Sequence, residues 1–249
     1  MNKTKKNRGL AAVYFILRAF VIVVMVRQAW IGNYTNVMLC ALTLILFMIP
    51  SFIEKRIKID IPDTLEVIIL LFIFSAEILG EIREYYITFR YWDTMLHTVN
   101  GFLMGAIGFS LIDILNRNKK FTIEMSPVFV AMVAFCFSMT IGVMWEFYEY
   151  GMDAFFMTDM QKDTYVSQVS SVELNENGKN SPKVVDIENV RVNGEEWKGY
   201  LDIGLIDTMQ DLFVNFIGAA VFSFIGYFYI KRRANIGVIR RLTLIYKND

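Results

Sequence analysis

Histidine is almost absent from this sequence, since His97 is the only one among 249 residues. A single histidine excludes metalloproteases with an H-E-x-x-H helix and membrane desaturases or hydroxylases that need several histidines. The sequence also lacks a G-x-S-x-G nucleophile motif, a phosphate-binding P-loop and a dinucleotide fingerprint. Any catalytic site must therefore be built from a different set of side chains that contains at most one histidine.

Cysteine is nearly as scarce. Cys40 and Cys136 both lie inside apolar runs, where a free cysteine behaves as a small hydrophobic side chain. The two cysteines therefore say almost nothing about the redox compartment.

Apolar residues, in contrast, make up 55% of the chain, and the mean hydropathy is +0.41. A membrane-spanning helix needs about 20 mostly apolar residues. Six candidate runs cover residues 10–26, 36–53, 65–79, 94–115, 127–145 and 206–230. Because six such runs leave too little polar surface for a soluble fold, the sequence predicts an all-α polytopic membrane protein, a single membrane domain embedded in a lipid bilayer.

The first run follows Lys3, Lys5, Lys6 and Arg8, as the apolar region of a signal peptide does. Arg18 interrupts this run, however, and no small-x-small cleavage site follows it. We therefore expect a retained first helix.

Lys and Arg indicate the orientation of the six spans, because they concentrate in cytoplasmic loops. With the N-terminus inside, 16 of the 25 basic residues lie on the inner side, eight on the outer side, and Arg18 within the first helix. Seven of the 25 acidic residues lie inside and 18 lie at the outer helix ends or beyond. The sequence therefore predicts a multi-pass protein of the plasma membrane with both termini in the cytoplasm.

Two segments depart from the membrane composition. Residues 156–204 are polar, and their alternating stretches 164–174, 183–192 and 195–201, with an Asn193-Gly194 turn signal, predict a small extracytoplasmic β-meander that caps the helix ends. Residues 231–249 form a basic cytoplasmic tail. This tail either lies along the anionic inner leaflet or serves only as a topology signal.

Polar residues recur at helical spacing where the spans meet the outer surface. The four stripes are Glu77, Glu81 and Glu84 on the third span, Asp93, His97 and Asn100 on the fourth, Glu146, Glu149 and Asp153 on the fifth, and Asp207, Asp211 and Asn215 on the sixth. All four stripes lie on the same side of the membrane, because outgoing helices end there and incoming helices begin there. If the stripes face one another, they line a pit about two turns deep.

Carboxylates inside a bilayer tend to face a protein interior or a cavity and to find partners. For Glu84 and Asp153, solvated helix ends are a sufficient explanation, whereas His97, Glu146 and Asp211 lie deeper in apolar surroundings. We therefore predict one site, for a divalent metal ion and for catalysis, from Asp93, His97, Glu146, Glu149, Asp207 and Asp211. Carboxylate and imidazole ligands suit Zn, Mn, Fe or Mg.

The order of these motifs resembles a known family. The motifs are Tyr91-Trp92-Asp93-x-x-x-His97-x-x-Asn100-Gly101-Phe102, Glu146-x-x-Glu149 and Asp207-Thr208-x-x-Asp211. They resemble the bacterial YjdF-like integral membrane proteins over roughly residues 77–226. This sequence departs from the family pattern at Trp92, at Asn100 where Gln is usual, and in a longer loop before Asp207. The resemblance implies a bacterial plasma membrane and no particular activity.

Three functions remain open at this point. The first is metal-dependent chemistry on an envelope or lipid-borne substrate at the outward-facing site, with His97 or one carboxylate as the general base. The second is a transporter or proton-coupled permease that uses the same acids as a relay. The third is a non-catalytic scaffold that binds a partner through residues 156–204. We expect no nucleic-acid partner.

Overall fold

The apolar runs form helices, because a helix satisfies its backbone N–H and C=O groups within one segment, as a bilayer without water requires. The computed structural model describes residues 8–57, 59–117, 125–176, 180–232 and 241–246. The α-helices of these residues are α1 Arg8–Trp30, α2 Tyr34–Leu46, α3 Ile49–Ile57, α4 Asp63–Phe74, α5 Tyr85–Thr88, α6 Trp92–Arg117, α7 Pro127–Phe156 and α8 Leu205–Arg232.

Five helical stretches are long and apolar enough to cross a membrane. They are Arg8–Trp30, Tyr34–Arg56, Trp92–Leu115, Pro127–Phe156 and Leu205–Lys231, as found within the described residues. The second stretch combines α2 and α3, which a turn at Phe47 and Met48 separates. The predicted class, a polytopic α-helical membrane protein, is confirmed.

The remaining predicted span, 65–79, has a different structure. The 12 residues of α4 continue directly into an eight-residue π-helix, Ser75–Ile82. Neither element alone reaches the length of a span, but together they are about as long as the roughly 20 residues that a span requires. π-Helical turns are rare and frequently occur at functional sites.

The end of the chain folds back onto the segment that precedes α4. Strand β1, Ile59–Asp60, pairs antiparallel with strand β8, Ile245–Tyr246. Leu242 and Leu244 are buried with Ile59, Ile61, Leu65 and Leu103 in one apolar cluster, and the backbone N–H of Leu244 donates to Ser110 Oγ at 2.9 Å. The predicted tail is therefore anchored on the protein at 241–246. Its residues 233–240 and 247–249 lie outside the described residues.

This strand pairing bears on the number of spans. β1 and β8 must lie on the same side of the membrane because they share hydrogen bonds, so the chain between them crosses an even number of times. Three of these crossings are assigned to α6, α7 and α8, which are long and apolar enough to cross a membrane. We infer that α4 and the π-helix together supply the fourth, which gives six spans in total.

The chain divides into two compact units. The first comprises the described residues of Met1–Gly142 and Val214–Asp249, and the second is Val143–Phe213. In the first unit, α6 and α8 approach closely at glycines. A Cβ added at Gly101 would lie 2.2 Å from the carbonyl oxygen of Asn215, and one at Gly218 would lie 2.1 Å from that of Thr98. Gly101 therefore serves helix packing, and its spacing of four residues from Gly105 is one that permits close contact between helices.

The second unit contains the predicted β-rich insertion. Its strands are β2 Tyr165–Val166, β3 Gln168–Ser171, β4 Lys183–Asp186, β5 Val190–Val192, β6 Glu195–Trp197 and β7 Tyr200–Leu201. They pair as β2 with β7, β3 with β4 and β5 with β6. Asn193 and Gly194 have φ of 52° and 90° and connect β5 to β6, as a two-residue hairpin turn requires.

The strands are therefore present, but the single meander expected from the sequence is wrong. The predicted stretch 183–192 is divided between two hairpins. The backbone N–H of Ile187 still donates to Ser167 at the end of the β3–β4 pair, and β5 begins only at Val190.

Cysteine labelling tests both the sixth crossing and the orientation. In a chain that carries Cys40→Ala and Cys136→Ala, an impermeant maleimide added outside intact cells should label Thr88→Cys and Ser181→Cys but not Lys55→Cys. Labelling of Thr88→Cys and Lys55→Cys from the same side would contradict the crossing by α4 and the π-helix. The reverse pattern would contradict the predicted orientation.

Replacing Gly101 by Ala should lower the thermal stability of the detergent-solubilised protein. The added methyl group meets backbone atoms of Asn215, so the helices must separate, and such overpacking costs about 1–3 kcal/mol. Gly151→Ala is the matched control, because nothing lies within 4 Å of its added Cβ. That variant should melt at or slightly above the wild-type temperature, since Ala favours a helix by up to about 1 kcal/mol. Equal melting temperatures for the two variants would contradict the close approach.

Candidate functional site

The carboxylates of α7 lie on its inward face. Glu146 and Glu149 are only 4% and 6% exposed, whereas the intervening Phe147 is 71% exposed. A separation of three residues places two side chains on one face of a helix. The predicted stripe on this helix is therefore buried, and its apolar neighbours face outward, where lipid would be their solvent.

Asp211 is the corresponding buried acid on α8. It is 3% exposed, while Met209 and Phe213 on either side of it are 58% and 63% exposed. Asp207, one turn earlier, is half-buried, and its Oδ2 accepts a hydrogen bond from the backbone N–H of Lys162 at 2.8 Å. The two aspartates thus follow the same face of α8.

These acids come together within the second unit. Glu146, Glu149 and Asp211 each offer one carboxylate oxygen, and the three oxygens lie within 4.8 Å of one another; Asp207 and Asp211 likewise approach within 4.8 Å. Two unit charges 4 Å apart repel by about 4 kcal/mol at an effective dielectric constant of about 20. The group therefore needs a cation or bound protons to be stable in its buried position.

Trp145 orients one of the three carboxylates. Its indole Nε1 donates to Glu149 Oε1 at 2.7 Å, across one helical turn. Trp145 is not among the site residues predicted from the sequence. The signal that could have revealed it is the i, i+4 spacing from Trp145 to Glu149.

Asp153, the last acid of the α7 stripe, does not join this group. Its two carboxylate oxygens accept hydrogen bonds from the Thr158 hydroxyl and from the backbone N–H groups of Met160 and Gln161 at 2.7–2.8 Å. Asp153 therefore fixes the chain where it leaves the helix, and this structural role explains its position.

His97 and Asp93 form a pair in the first unit. His97 Nε2 lies 3.5 Å from Asp93 Oδ1, and the two residues are one turn apart on α6. His97 is 7% exposed. The structure thus groups the six predicted site residues as one pair and one set of four carboxylates. That the pair and the four carboxylates form one site remains a prediction from the sequence.

The stripes of the fourth and sixth spans do meet at their deepest residues, which both belong to the first unit. Asn100 Nδ2 donates to Asn215 Oδ1 at 3.3 Å, and Asn215 is fully buried. These amides hold α6 against α8.

The stripe of the third span, in contrast, is absent from the groups of possible metal ligands found among the described residues. Glu84 is exposed and has a left-handed backbone with a φ of 58°. A role as a solvated helix end is sufficient for this residue.

Comparison with known proteins identifies a family. A family model described as "Predicted membrane protein (DUF2238)" matches residues 10–232. No curated protein and no solved structure matches the chain. The match covers most of the sequence and agrees with the resemblance to an uncharacterised family of membrane proteins.

Asp202 provides a test of how the start of α8, and with it Asp207, is held in place. Its carboxylate accepts hydrogen bonds of 2.7 Å from the backbone N–H groups of Thr164 and Ile206. Burial acts to raise the pKa of Asp202, but these backbone hydrogen bonds outweigh it and hold the pKa below its ordinary value. The stability that Asp202 contributes is therefore present above the unfolded pKa of about 3.9, and it is lost as the pH falls through the folded value.

The difference in melting temperature between wild type and Asp202→Asn should therefore be constant above about pH 5 and shrink below about pH 4. Thermal melts of the detergent-solubilised chain between pH 6 and pH 3 measure it. Asp186→Asn, on exposed β4, serves as the control for a surface carboxylate of the same unit. A difference in melting temperature that grows as the pH falls would contradict hydrogen bonds that stabilise the ionised form of Asp202.

Proposed function

This chain belongs to the DUF2238 family of membrane proteins, and we propose that it binds a divalent metal ion through Glu146, Glu149 and Asp211. The observation that carries the proposal is the convergence of three buried carboxylates. One oxygen from each lies within 4.8 Å of the others. A divalent cation offsets their mutual repulsion while leaving all three ionised. Carboxylate oxygens are hard ligands that suit Mg²⁺ and Mn²⁺.

Asp93, His97 and Asp207 are the further ligands of the proposed site. Their assignment follows from the sequence, which places the ends of these helices on one side of the membrane. The imidazole of His97 would add one nitrogen ligand to the carboxylates. A mixed set of carboxylate and imidazole ligands also suits Zn²⁺ or Fe²⁺.

The proposed chemistry is the activation of water or of a substrate hydroxyl group next to the metal. A bound divalent ion lowers the pKa of a coordinated water and polarises a phosphoryl or carbonyl oxygen. Whichever of these groups does not bind the metal, either His97 or one of the carboxylates, would accept the proton. Trp145 positions Glu149 for its role, because its indole hydrogen bond leaves fewer orientations for that carboxylate.

The substrate class follows from the location of the acids. In the predicted orientation they lie at the outer ends of their helices, where the available substrates are lipid head groups and components of the cell envelope. A transporter would need polar residues at the midplane of the membrane and through its inner half. The inner halves of the second, fourth and sixth predicted spans are nearly all apolar, and this favours a one-sided site over a transport path.

Metal analysis tests the proposal directly. Protein purified in detergent without chelators should carry stoichiometric metal, as measured by inductively coupled plasma mass spectrometry. His97→Ala and Asp211→Asn should each remove most of it while leaving the melting temperature near that of wild type. Trp145→Phe should weaken Mn²⁺ binding about 10- to 100-fold in a titration followed by electron paramagnetic resonance, since it removes a group that orients a ligand.

Asp159→Asn is the matched control, because Asp159 is an exposed acid of the same unit that pairs with Lys162. Unchanged metal content in both His97→Ala and Asp211→Asn, or failure of both variants to fold, would exclude the cluster as the functional centre. Metal-free wild-type protein whose vesicles accumulate a solute in response to a pH gradient would instead support the transporter.

A further inference from the structure

Arg18 lies deep in the first membrane span. It follows Arg8, at the start of α1, by ten residues, which corresponds to about 15 Å along the helix axis. Its side chain is exposed, as are Phe15 and Ile22 at 75% and 46%. A guanidinium group is costly at this depth unless it is paired or reaches the membrane surface.

The contacts of Arg18 do not neutralise its charge. Its guanidinium carbon lies 4.9 Å from the centre of the Tyr14 ring, while the Tyr14 hydroxyl donates its hydrogen bond to the buried Glu66. Within the part of the chain that the structure describes, no carboxylate forms an ion pair with Arg18. Among the described residues, the guanidinium group of Arg18 therefore has no carboxylate within ion-pair distance.

A groove lies beside this cation. It has a volume of about 450 Å³, and its lining includes Ala11, Tyr14, Phe15, Arg18, Ala19 and Ser51. The two alanines leave room along α1, and Ser51 brings α3 to the other wall. The walls are mostly apolar, with the guanidinium group as the charged feature.

We propose that this groove binds an anionic phospholipid, with Arg18 holding its phosphate group. Arginine matches phosphate through two parallel N–H to oxygen bonds, and the apolar walls at Phe15 and Ile22 suit an acyl chain. A phosphate at this depth gains more from a cation than it would in water, because the surroundings are less polar.

The leaflet that supplies the lipid is the one on the N-terminal side. Long side chains of a helix point towards its N-terminus, and the contact with Tyr14 shows that Arg18 does so. Lys55 and Arg56 follow Ser51 by about one turn on α3 and belong to the same basic side. In the predicted orientation this is the cytoplasmic leaflet, whose surface is anionic.

Native mass spectrometry of the full chain in dodecyl maltoside tests the proposal, with dioleoylphosphatidylglycerol as the probe and dioleoylphosphatidylcholine as the neutral reference. Wild type should retain phosphatidylglycerol in preference to phosphatidylcholine. Arg18→Leu should reduce the retained fraction about tenfold, as expected for the loss of one charge-assisted contact. Arg27→Leu is the matched control, since Arg27 is also exposed on α1 but does not line the groove, and it should bind as wild type does.

Ala11→Trp provides a second variant, which fills the groove and retains the charge, and it should also lose phosphatidylglycerol. Phosphatidylglycerol binding that survives in both Arg18→Leu and Ala11→Trp would overturn the proposal. Displacement of the lipid by millimolar inorganic phosphate would assign the site to a free anion. A dimeric wild type that becomes monomeric in Arg18→Leu would assign the groove to a second copy of the chain, and either result would also overturn the proposal.

Discussion

The structure depends on one constraint, the absence of water from the core of the bilayer. Every polar group placed there must find its partner within the protein. The backbone meets this requirement by forming helices, and side chains meet it through contacts between helices. Ser138 donates to the carbonyl oxygen of Gly101 at 2.7 Å, and Tyr14 donates to Glu66. The buried carboxylates of α7 and α8 are notable under the same constraint, because three groups that carry like charge when ionised lie close together.

Much of the fold could be predicted from the sequence because the underlying signals are local. Long apolar runs indicate the spans, and the Asn193-Gly194 turn defines its hairpin through backbone conformations that few other residue pairs adopt. The pairing of β1 with β8 could not be predicted, because it joins two very short strands far apart in the chain. The π-helix at Ser75–Ile82 was missed for a related reason, since its residues differ little in composition from those of an α-helix.

The candidate site was predictable to a similar extent. Helical spacing was sufficient to find Glu146, Glu149 and Asp211, since charged residues recur there on one face of an apolar helix. The same spacing did not separate Asp153, which holds a loop, from the acids that converge. Trp145 was missed because aromatic residues near a membrane surface usually serve as anchors, and only its contact with Glu149 reveals another role.

The docking of Leu242 and Leu244 against Ile59 and Ile61 has a consequence for synthesis of the chain. Residue 244 leaves the ribosome about 185 residues after residue 59, which takes roughly 10–40 s at translation rates of about 5–20 residues per second. During that interval the apolar residues around β1 lack the cover that Leu242 and Leu244 provide. This cluster is thus completed only when residues 242–244 have been made, and a chain terminated before them leaves the cluster open to recognition by quality-control proteases.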